Sequence, residues 1–285
     1  MKFKNIGITG SRGVLGQHIR NKFSNKKFDY IKGDKTKKKD IKKWLKGKNF
    51  EAIFHFAAVV PTEEVKKNFN KSLKINYYGS KLLIDEIQRN NTTKWFLFTS
   101  TSHVYRYSNR KISEKSILKP ISKYGLTKLM AENYLLKKNS KVNICIIRIF
   151  SYTNFNQKKS FIIPSIYKKF KNKNLINLNN LNHIRDFIDI DDIVSAIKLL
   201  YLKKSTGVYN LGSGKPIPLT KIIKYFSNIF KKKYVINLKN KKTSHIADIK
   251  KLVKLGWKPK KNIDSILKKY HSYFIYKNKK FYEYD

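Results

Sequence analysis

Five apolar runs rich in β-forming residues, Lys4 to Thr9, Phe28 to Lys32, Ala52 to Phe56, Trp95 to Thr99 and Val142 to Phe150, alternate with longer segments of helical spacing. Each run is apolar at nearly every position rather than at every second one, as strands covered on both faces are. Helical candidates are Val14 to Phe23, Asp40 to Leu45, Ile75 to Gln88 and Ser122 to Lys137. The alternation predicts an α/β fold, a doubly wound parallel sheet with helices on both sides. Lys168 to Asn180 is polar and rich in Lys and Asn, which predicts a surface excursion away from the sheet. Beyond Asp192, a helix (Ile193 to Tyr201), the short strand GVYNLG, a helix (Leu219 to Phe230) and an amphipathic stretch predict a smaller lobe.

The first strand breaks into TGSRGVLG, with Gly10, Gly13 and Gly16 spaced three apart before a helix that starts at Val14 and Leu15. Glycine is scarce, 12 in 285 residues, yet four fall between Gly7 and Gly16, so the cluster is not compositional noise. A strand, a glycine turn and a helix N-terminus together present backbone N–H groups to a pyrophosphate. The expectation is a Rossmann-type domain over 1–150 plus about 186–204. A smaller, discontinuous α/β substrate-binding lobe is expected over about 151–185 and 205–285.

Composition narrows the setting. With 41% hydrophobic residues the chain supports a sizeable core. The single cysteine, Cys145, lies inside the apolar run VNICIIRIF, which excludes an intrachain disulfide or a cysteine metal cluster and predicts a reducing, cytoplasmic setting. The apolar stretch Ile53 to Val60 is too short for a bilayer, and MKFKNIGITG has no secretory apolar core, so neither membrane insertion nor export is expected. Lys and Arg number 64 against 18 Asp and Glu, a formal charge of +46. Lysine is spread along the chain among asparagines and arginine is sparse, a picture of non-specific polyanion adhesion rather than specific nucleic-acid reading. The histidines show no paired metal-ligand spacing, and no metal is expected.

Asp34 stands 24 positions after Gly10 at the end of the second predicted strand. A carboxylate there can bind the hydroxyls of an adenosine ribose and repel a 2′-phosphate; as a plain turn residue in GDK it needs no ligand. Arg12, inside the glycine turn, pulls the other way by offering a guanidinium to a 2′-phosphate, so NAD and NADP both stay open. Asp40 and Ile41 can flank the adenine, although Asp40 also suits a helix N-cap.

Tyr124 and Lys128, in YGLTK, share one helical face. The spacing recurs elsewhere in this lysine-rich chain, but this pair opens a helix and follows the hydroxyl cluster Thr99, Ser100, Thr101 and Ser102. A phenol ionises near ~10, and bringing it to neutrality takes about 4 kcal/mol of phenolate stabilisation, which an adjacent ammonium can supply.

These segments together resemble the extended short-chain dehydrogenase/reductases of the NAD-dependent epimerase/dehydratase family, which act on nucleotide-linked sugars. The resemblance runs through TGSRGVLG, HFAA (His55 to Ala58), INYYGS around Asn76, FTSTSHVY (Phe98 to Tyr105), YGLTK, IIRIF around Arg148, RDFIDIDD (Arg185 to Asp192), YNLGSG (Tyr209 to Gly214) and DIKKLVKLGWKP from Asp248. It implies Tyr124 as catalytic acid/base, Lys128 as the group that holds the nicotinamide ribose and lowers the tyrosine pKa, and Thr101 as the hydroxyl bound to the reacting sugar. Gly10, Arg12, Gly13, Val14, Leu15, Gly16, Asp34, Asp40, Ile41, Ala57, Ala58, Asn76 and Thr99 are the implied further cofactor contacts. Thr101, Ser102, His103, Ser151 and Arg185 are the implied substrate contacts. The expected cofactor is NAD, with NADP as the alternative, and the expected assembly is a homodimer.

The expected reaction is hydride transfer at a hydroxyl-bearing carbon, C4, of a nucleotide sugar, as an epimerase or as a keto-sugar reductase. A non-catalytic nucleotide- or polyanion-binding protein is the alternative from another class. Ser102 and His103 stand where sugar-nucleotide 4,6-dehydratases carry Asp and Glu, which argues against acid-driven water elimination. Arg106 and Ser151 replace a glycine and an asparagine common in the family, so the sugar itself stays open. Four acids crowd Asp186 to Asp192, where capping and a local charge network account for them better than a cation site does.

Overall fold

The structure, a computed structural model, describes residues 5–23, 28–60, 62–91, 93–137 and 141–282, with side chains described to residue 276. The chain divides into two compact units. Unit 1 comprises residues 1–106, 114–149 and 194–211; unit 2 comprises 107–113, 150–193 and 212–285.

The first half of the chain runs β1 (Ile6–Thr9), α1 (Val14–Lys22), β2 (Phe28–Tyr30), α2 (Lys38–Leu45), β3 (Ala52–His55), α3 (Thr62–Lys67) and α4 (Phe69–Leu73). A single π-turn (Lys74–Tyr78) leads into α5 (Gly79–Asn90), followed by β4 (Trp95–Thr101), a short 3₁₀ turn (Ser102–Val104), α6 (Lys123–Lys137) and β5 (Asn143–Ile149). Next come β6 (Ser151–Thr153), α7 (Ile162–Asn172), β7 (Ile176–Asn179), β8 (Ile184–Arg185), β9 (Phe187–Asp189), α8 (Ile190–Leu202) and β10 (Gly207–Leu211). The last elements are β11 (Ile217–Pro218), α9 (Leu219–Phe230), β12 (Tyr234–Asn237), β13 (Ser244–His245), α10 (Lys250–Lys254) and α11 (Ile263–Tyr282).

All five apolar runs become parallel strands of one six-stranded sheet in unit 1, in the order β10-β5-β4-β3-β1-β2. β1, β3 and β4 are buried at every position, which is why their sequences carry no polar alternation. Helix positions three and four apart (Ile41, Trp44 and Leu45 of α2; Leu83, Ile84 and Ile87 of α5; Ala131 and Leu135 of α6) pack on Ile53, Phe96, Phe98 and Ile146 of the sheet. Strand order reverses at β1, which has β2 on one side and β3 on the other, and such a reversal opens a crevice at the strand carboxyl ends.

Two expectations from sequence need correction. GVYNLG does not begin the smaller lobe: Gly207–Leu211 pairs with Cys145–Ile149 as the sixth strand and covers the edge of β5. Nor is Lys168 to Asn180 a surface excursion. Phe170 at the end of α7 and Ile176 and Leu178 of β7 are fully buried in the core of unit 2, together with Ile222, Ile223 and Phe226 of α9 and Leu267 of α11. The lysines and asparagines of that segment occupy the outer faces, and the alternation of burial along Ile176–Asn179 is the strand signal that their polarity masked. Among the described residues no helix is long and apolar enough to cross a membrane, and no three His, Cys, Asp or Glu side chains group to hold a metal ion.

Candidate functional site

The glycine turn closes the carboxyl end of β1. Gly10 adopts φ 73°, and a Cβ there would lie 2.6 Å from the Ala57 backbone nitrogen, so only glycine lets β1 and the chain after β3 come this close. Gly13 N–H donates to the Gly10 carbonyl at 3.0 Å and Gly13 caps α1. A Cβ on Gly16 would run into the Gly10 carbonyl, which fixes α1 tightly against the turn. Backbone therefore lines a helix N-terminus at the sheet's switch point, a cradle that fits the pyrophosphate of a dinucleotide. Val14 and Leu15 open α1 with Leu15 buried, whereas Arg12 is exposed and its carbonyl accepts Gln17 Nε2 at 2.8 Å.

Behind the turn lies a buried chain of polar groups, of which sequence reading named only Asn76, as a cofactor contact; its side chain is fully buried and bonded to Val59 and Thr127. Ser80 Oγ donates to the Asn76 carbonyl at 2.7 Å and therefore accepts from His55 Nε2 at 2.8 Å. His55 Nδ1 is then the acceptor of the Thr9 hydroxyl at 2.6 Å, which assigns the neutral Nε2–H tautomer from the hydrogen-bond network. Burial, helped by the charges of Lys128 and Lys35, holds the His55 pKa well below the usual imidazole range. From Asn76 the chain continues: Nδ2 donates to Thr127 Oγ1 at 3.1 Å, and Thr127 Oγ1 donates to the Tyr124 carbonyl at 2.8 Å. Asn76 also clasps Val59, accepting from its N–H at 2.7 Å and donating to its carbonyl at 3.0 Å. The His55 signal was present only as a polar residue inside an apolar strand.

Helix α6 carries Tyr124 and Lys128, both buried. Ser122 Oγ accepts the Gly125 N–H at 3.0 Å and so caps the helix, and it also lies 3.0 Å from His103 Nδ1. A Cβ at Gly125 would collide with the His103 carbonyl, which is why a glycine follows the tyrosine. The close approach sets the His103 ring edge-on to the Tyr124 ring, with 6.1 Å between centroids. Thr101 Oγ1 accepts the His103 N–H at 3.2 Å, and buried Ser102 starts the 3₁₀ turn. Thr99 Oγ1 donates to the His55 carbonyl at 2.8 Å. Lys128 is 1% exposed, and burial pulls its pKa down to about 7, with the Glu132 carboxylate opposing the shift.

Glu132 is itself paired. Arg148 Nε lies 3.1 and 3.0 Å from its two oxygens, Arg148 Nη1 donates to Tyr105 Oη at 2.7 Å, and Tyr105 Oη donates to Asn210 Oδ1 at 2.8 Å. The network ties α6 to β5 and β10.

At the far end of the cofactor crevice Asp34 is exposed, and its Oδ1 accepts both Thr36 N–H and Thr36 Oγ1 at 2.8 Å. Asp40 is not an N-cap: it lies in the first turn of α2, where its Oδ2 accepts the Asp34 N–H at 2.8 Å. Ile41 is fully buried in the sheet-facing core, Ala57 is buried and Ala58 half-buried.

Ser151 and Arg185 belong to unit 2. Half-buried Ser151 begins β6, while Arg185 donates to the carbonyls of Ile184 and Thr243 at 2.8 and 3.0 Å and stands 5.2 Å from the Tyr107 ring centre. The acidic run resolves into separate tasks. Buried Asp186 accepts from Ser213 N–H, Ser213 Oγ, Gly214 N–H and Ala247 N–H; Asp189 accepts from Asp191 N–H; Asp192 accepts from Lys261 N–H.

The profile of the NAD dependent epimerase/dehydratase family matches residues 6–212. The chain is 28% identical to the dTDP-4-dehydro-6-deoxyglucose reductase of Escherichia coli, over 82% of this chain and 77% of that one. Among solved structures, RMD from Pseudomonas aeruginosa complexed with NADPH superposes with a TM-score of 0.84 at 22% identity, covering 93% of this chain and 96% of that one. UDP-glucose 4-epimerase of Thermotoga maritima with UDP-glucose gives 0.83 at 20% identity, covering 95% and 100%.

Proposed function

The chain belongs to the NAD-dependent epimerase/dehydratase family, and from that premise we propose that it is a nucleotide-sugar oxidoreductase working at a hydroxyl-bearing carbon, C4, of the sugar. The observation that carries this reading is the burial of Tyr124 and Lys128, four residues apart on α6, a helix that packs on β4 and the Ser102–Val104 turn, in the unit whose sheet bears the glycine cradle at its switch point. Gly10, Gly13 and Gly16 would hold a nicotinamide dinucleotide, which when bound takes or returns the hydride.

The remaining steps fall to the protein. Thr101 orients the sugar hydroxyl. Tyr124, as phenolate, accepts the hydroxyl proton while the carbon loses its hydride, leaving a keto-sugar; in the reverse direction the Tyr124 phenol donates that proton to the carbonyl oxygen. Lys128 favours the phenolate by its charge, which at a pKa of about 7 is present on a substantial fraction of molecules at neutral pH. Net reduction of a keto-sugar is the second reading, favoured by the likeness to the Escherichia coli reductase.

Incubating the protein with a panel of nucleotide sugars and 4-keto sugars, with NAD(H) and NADP(H) separately, tests both. Product without net cofactor consumption marks an epimerase, and stoichiometric consumption marks a reductase. Tyr124→Phe abolishes turnover with dinucleotide affinity within about twofold of wild type. Full activity in that variant removes the mechanism, and dinucleotide binding without turnover on any sugar leaves only a nucleotide-binding protein.

A further inference from the structure

Unit 2 contains no Asp or Glu between residues 150 and 185 or between 212 and 247, while four lysines fall within 168–173 and six within 231–242. Strands β7 and β12 bring these two lysine-rich segments together, pairing in parallel with Tyr234 opposite Ile176 and Asn237 opposite Asn179. One face of the pair is covered: Ile176 and Leu178 are fully buried, and Tyr234 and Ile236 pack against the same core. The other face presents Asn177, Asn179, Val235 and Asn237 outward, with Asn237 Nδ2 donating to Asn179 Oδ1 at 3.2 Å.

At the start of the strands Lys232 Nζ donates to the carbonyls of Phe170 and Lys173 at 2.9 and 2.8 Å, which draws the end of α7 onto the end of α9. Lys171, Lys173, Lys231 and Lys233 stay exposed around that junction. At the other end Asn180 Oδ1 accepts the N–H groups of Lys239 and Asn240, each at 3.1 Å, and Lys239, Lys241 and Lys242 are exposed. The dipoles of α7 and α9 account for lysine at their carboxyl ends, Lys171 and Lys231, but not for Lys233, Lys239, Lys241 and Lys242. The described acids of unit 2 are engaged elsewhere. Asp264 pairs with Lys221 in the first turn of α9, Asp189 and Asp191 with Lys269, and Asp186, Asp192 and Asp248 accept backbone N–H groups. Between the two lysine clusters three aliphatic side chains stand in solvent, Leu175 at 68%, Val235 at 50% and Leu238 at 58% exposure.

We propose that the outer face of β7 and β12 is a docking surface for an anionic lipid bilayer, the lysines meeting acidic headgroups and Leu175, Val235 and Leu238 entering the boundary between headgroups and acyl chains. Aliphatic side chains ringed by lysine match the chemistry of that interface. A nucleic-acid strand needs rings to stack on, and the one aromatic side chain of the two strands, Tyr234, faces the core, its ring centre 6.3 Å from that of Phe170. A second copy of this face is opposed by like charge. The surface lies wholly within unit 2 and is independent of the dinucleotide reading.

Vesicle flotation of the full chain tests it, with phosphatidylcholine alone and with phosphatidylcholine carrying about 30% phosphatidylglycerol, at about 0.15 M salt. Wild type is expected to float with the anionic vesicles and not with the neutral ones. Changing Lys173, Lys233 and Lys239 together to Gln weakens this binding about a hundredfold, and changing Leu175, Val235 and Leu238 together to Ser about tenfold. The same charge change in unit 1, Lys42, Lys43 and Lys46 to Gln, weakens it by less than about threefold. All these positions are exposed, and each variant is expected to keep the circular dichroism spectrum and melting temperature of wild type. No binding by wild type, or equal binding to neutral vesicles, overturns the surface. Equal losses for the two lysine triples assign adhesion to the overall charge and overturn it as well, and a serine triple that binds like wild type removes the bilayer contact. Oligouridylate that binds more tightly than the anionic vesicles, with the same dependence on Lys173, Lys233 and Lys239, reassigns the face to nucleic acid and overturns the proposal.

Discussion

Lys128 holds its ammonium nitrogen 4.1 Å from the centre of the Phe98 ring, fully inside unit 1. The ring face offers an electrostatic contact but cannot replace water, so the charged form is penalised and the pKa falls to about 7. The unfolded chain keeps its lysine protons to about 10.4, and between these values it binds more protons than the folded protein. Stability of the wild type therefore rises with pH from 7 toward 10, and Lys128→Met lacks this rise. Urea midpoints of the two proteins at pH 7, 8 and 9 check it: a difference that stays constant over that range means the ammonium is not buried as described.

Glu132 and Arg148 form a buried pair whose halves cannot be removed singly. Glu132→Ala strands a guanidinium and costs about 3–5 kcal/mol, while Glu132→Met with Arg148→Met costs clearly less than the sum of the single changes. Glu132 also raises the Lys128 pKa, so Glu132→Gln moves it further down. A double-mutant cycle by chemical denaturation reads the coupling, and additive effects would contradict the pairing.

Gly125 sets how closely α6 approaches the Thr101–Val104 turn. Gly125→Ala must push the helix off the His103 carbonyl, at a cost of about 1–3 kcal/mol, and it shifts Tyr124 with the helix. Turnover falls by about a hundredfold, well beyond the effect on the melting temperature. A crystal structure of the variant with α6 unmoved refutes the account.

His55 is expected to remain neutral in the folded protein below pH 6, with Nε2 protonated. Its unfolded pKa near ~6.5 makes the unfolded state the better proton acceptor in acid, so this residue's contribution to stability is lost as pH falls through that value. Two-bond ¹H–¹⁵N spectra of the imidazole distinguish the tautomer directly; a charged ring at pH 6 sinks the Thr9–His55–Ser80 assignment. His55→Phe takes away the acceptor of the Thr9 hydroxyl and the donor to Ser80 Oγ, which keeps its bond to the Asn76 carbonyl, and destabilises by about 1–3 kcal/mol.

The strands were legible because a sheet buried on both faces writes itself as continuous apolar runs. The same rule explains what escaped. The last strand, Gly207–Leu211, contains Asn210, whose backbone N–H donates to Glu114 Oε1 at 2.8 Å and whose side chain accepts from Tyr105. That polarity, with the distance from β5 in sequence, hid its place in the sheet. Lys168 to Asn180 misled because lysine coats every outer surface of this chain, and composition there outweighed the few buried positions.

By itself the sequence determined the fold class, the glycine turn and the placing of Tyr124 and Lys128 on one helix, all features carried by local spacing and by which residue types can be buried. Tertiary structure alone decided that Asp34 is bonded to its own turn. It also decided that Asn76 and Thr127 link the polar chain of Thr9, His55 and Ser80 to the helix bearing Tyr124. The physical reason is that a hydrogen bond or a charge acts over a few ångströms of space, and residues as far apart as Thr9 and Thr127 come within such a network only when the strands and helices between them pack.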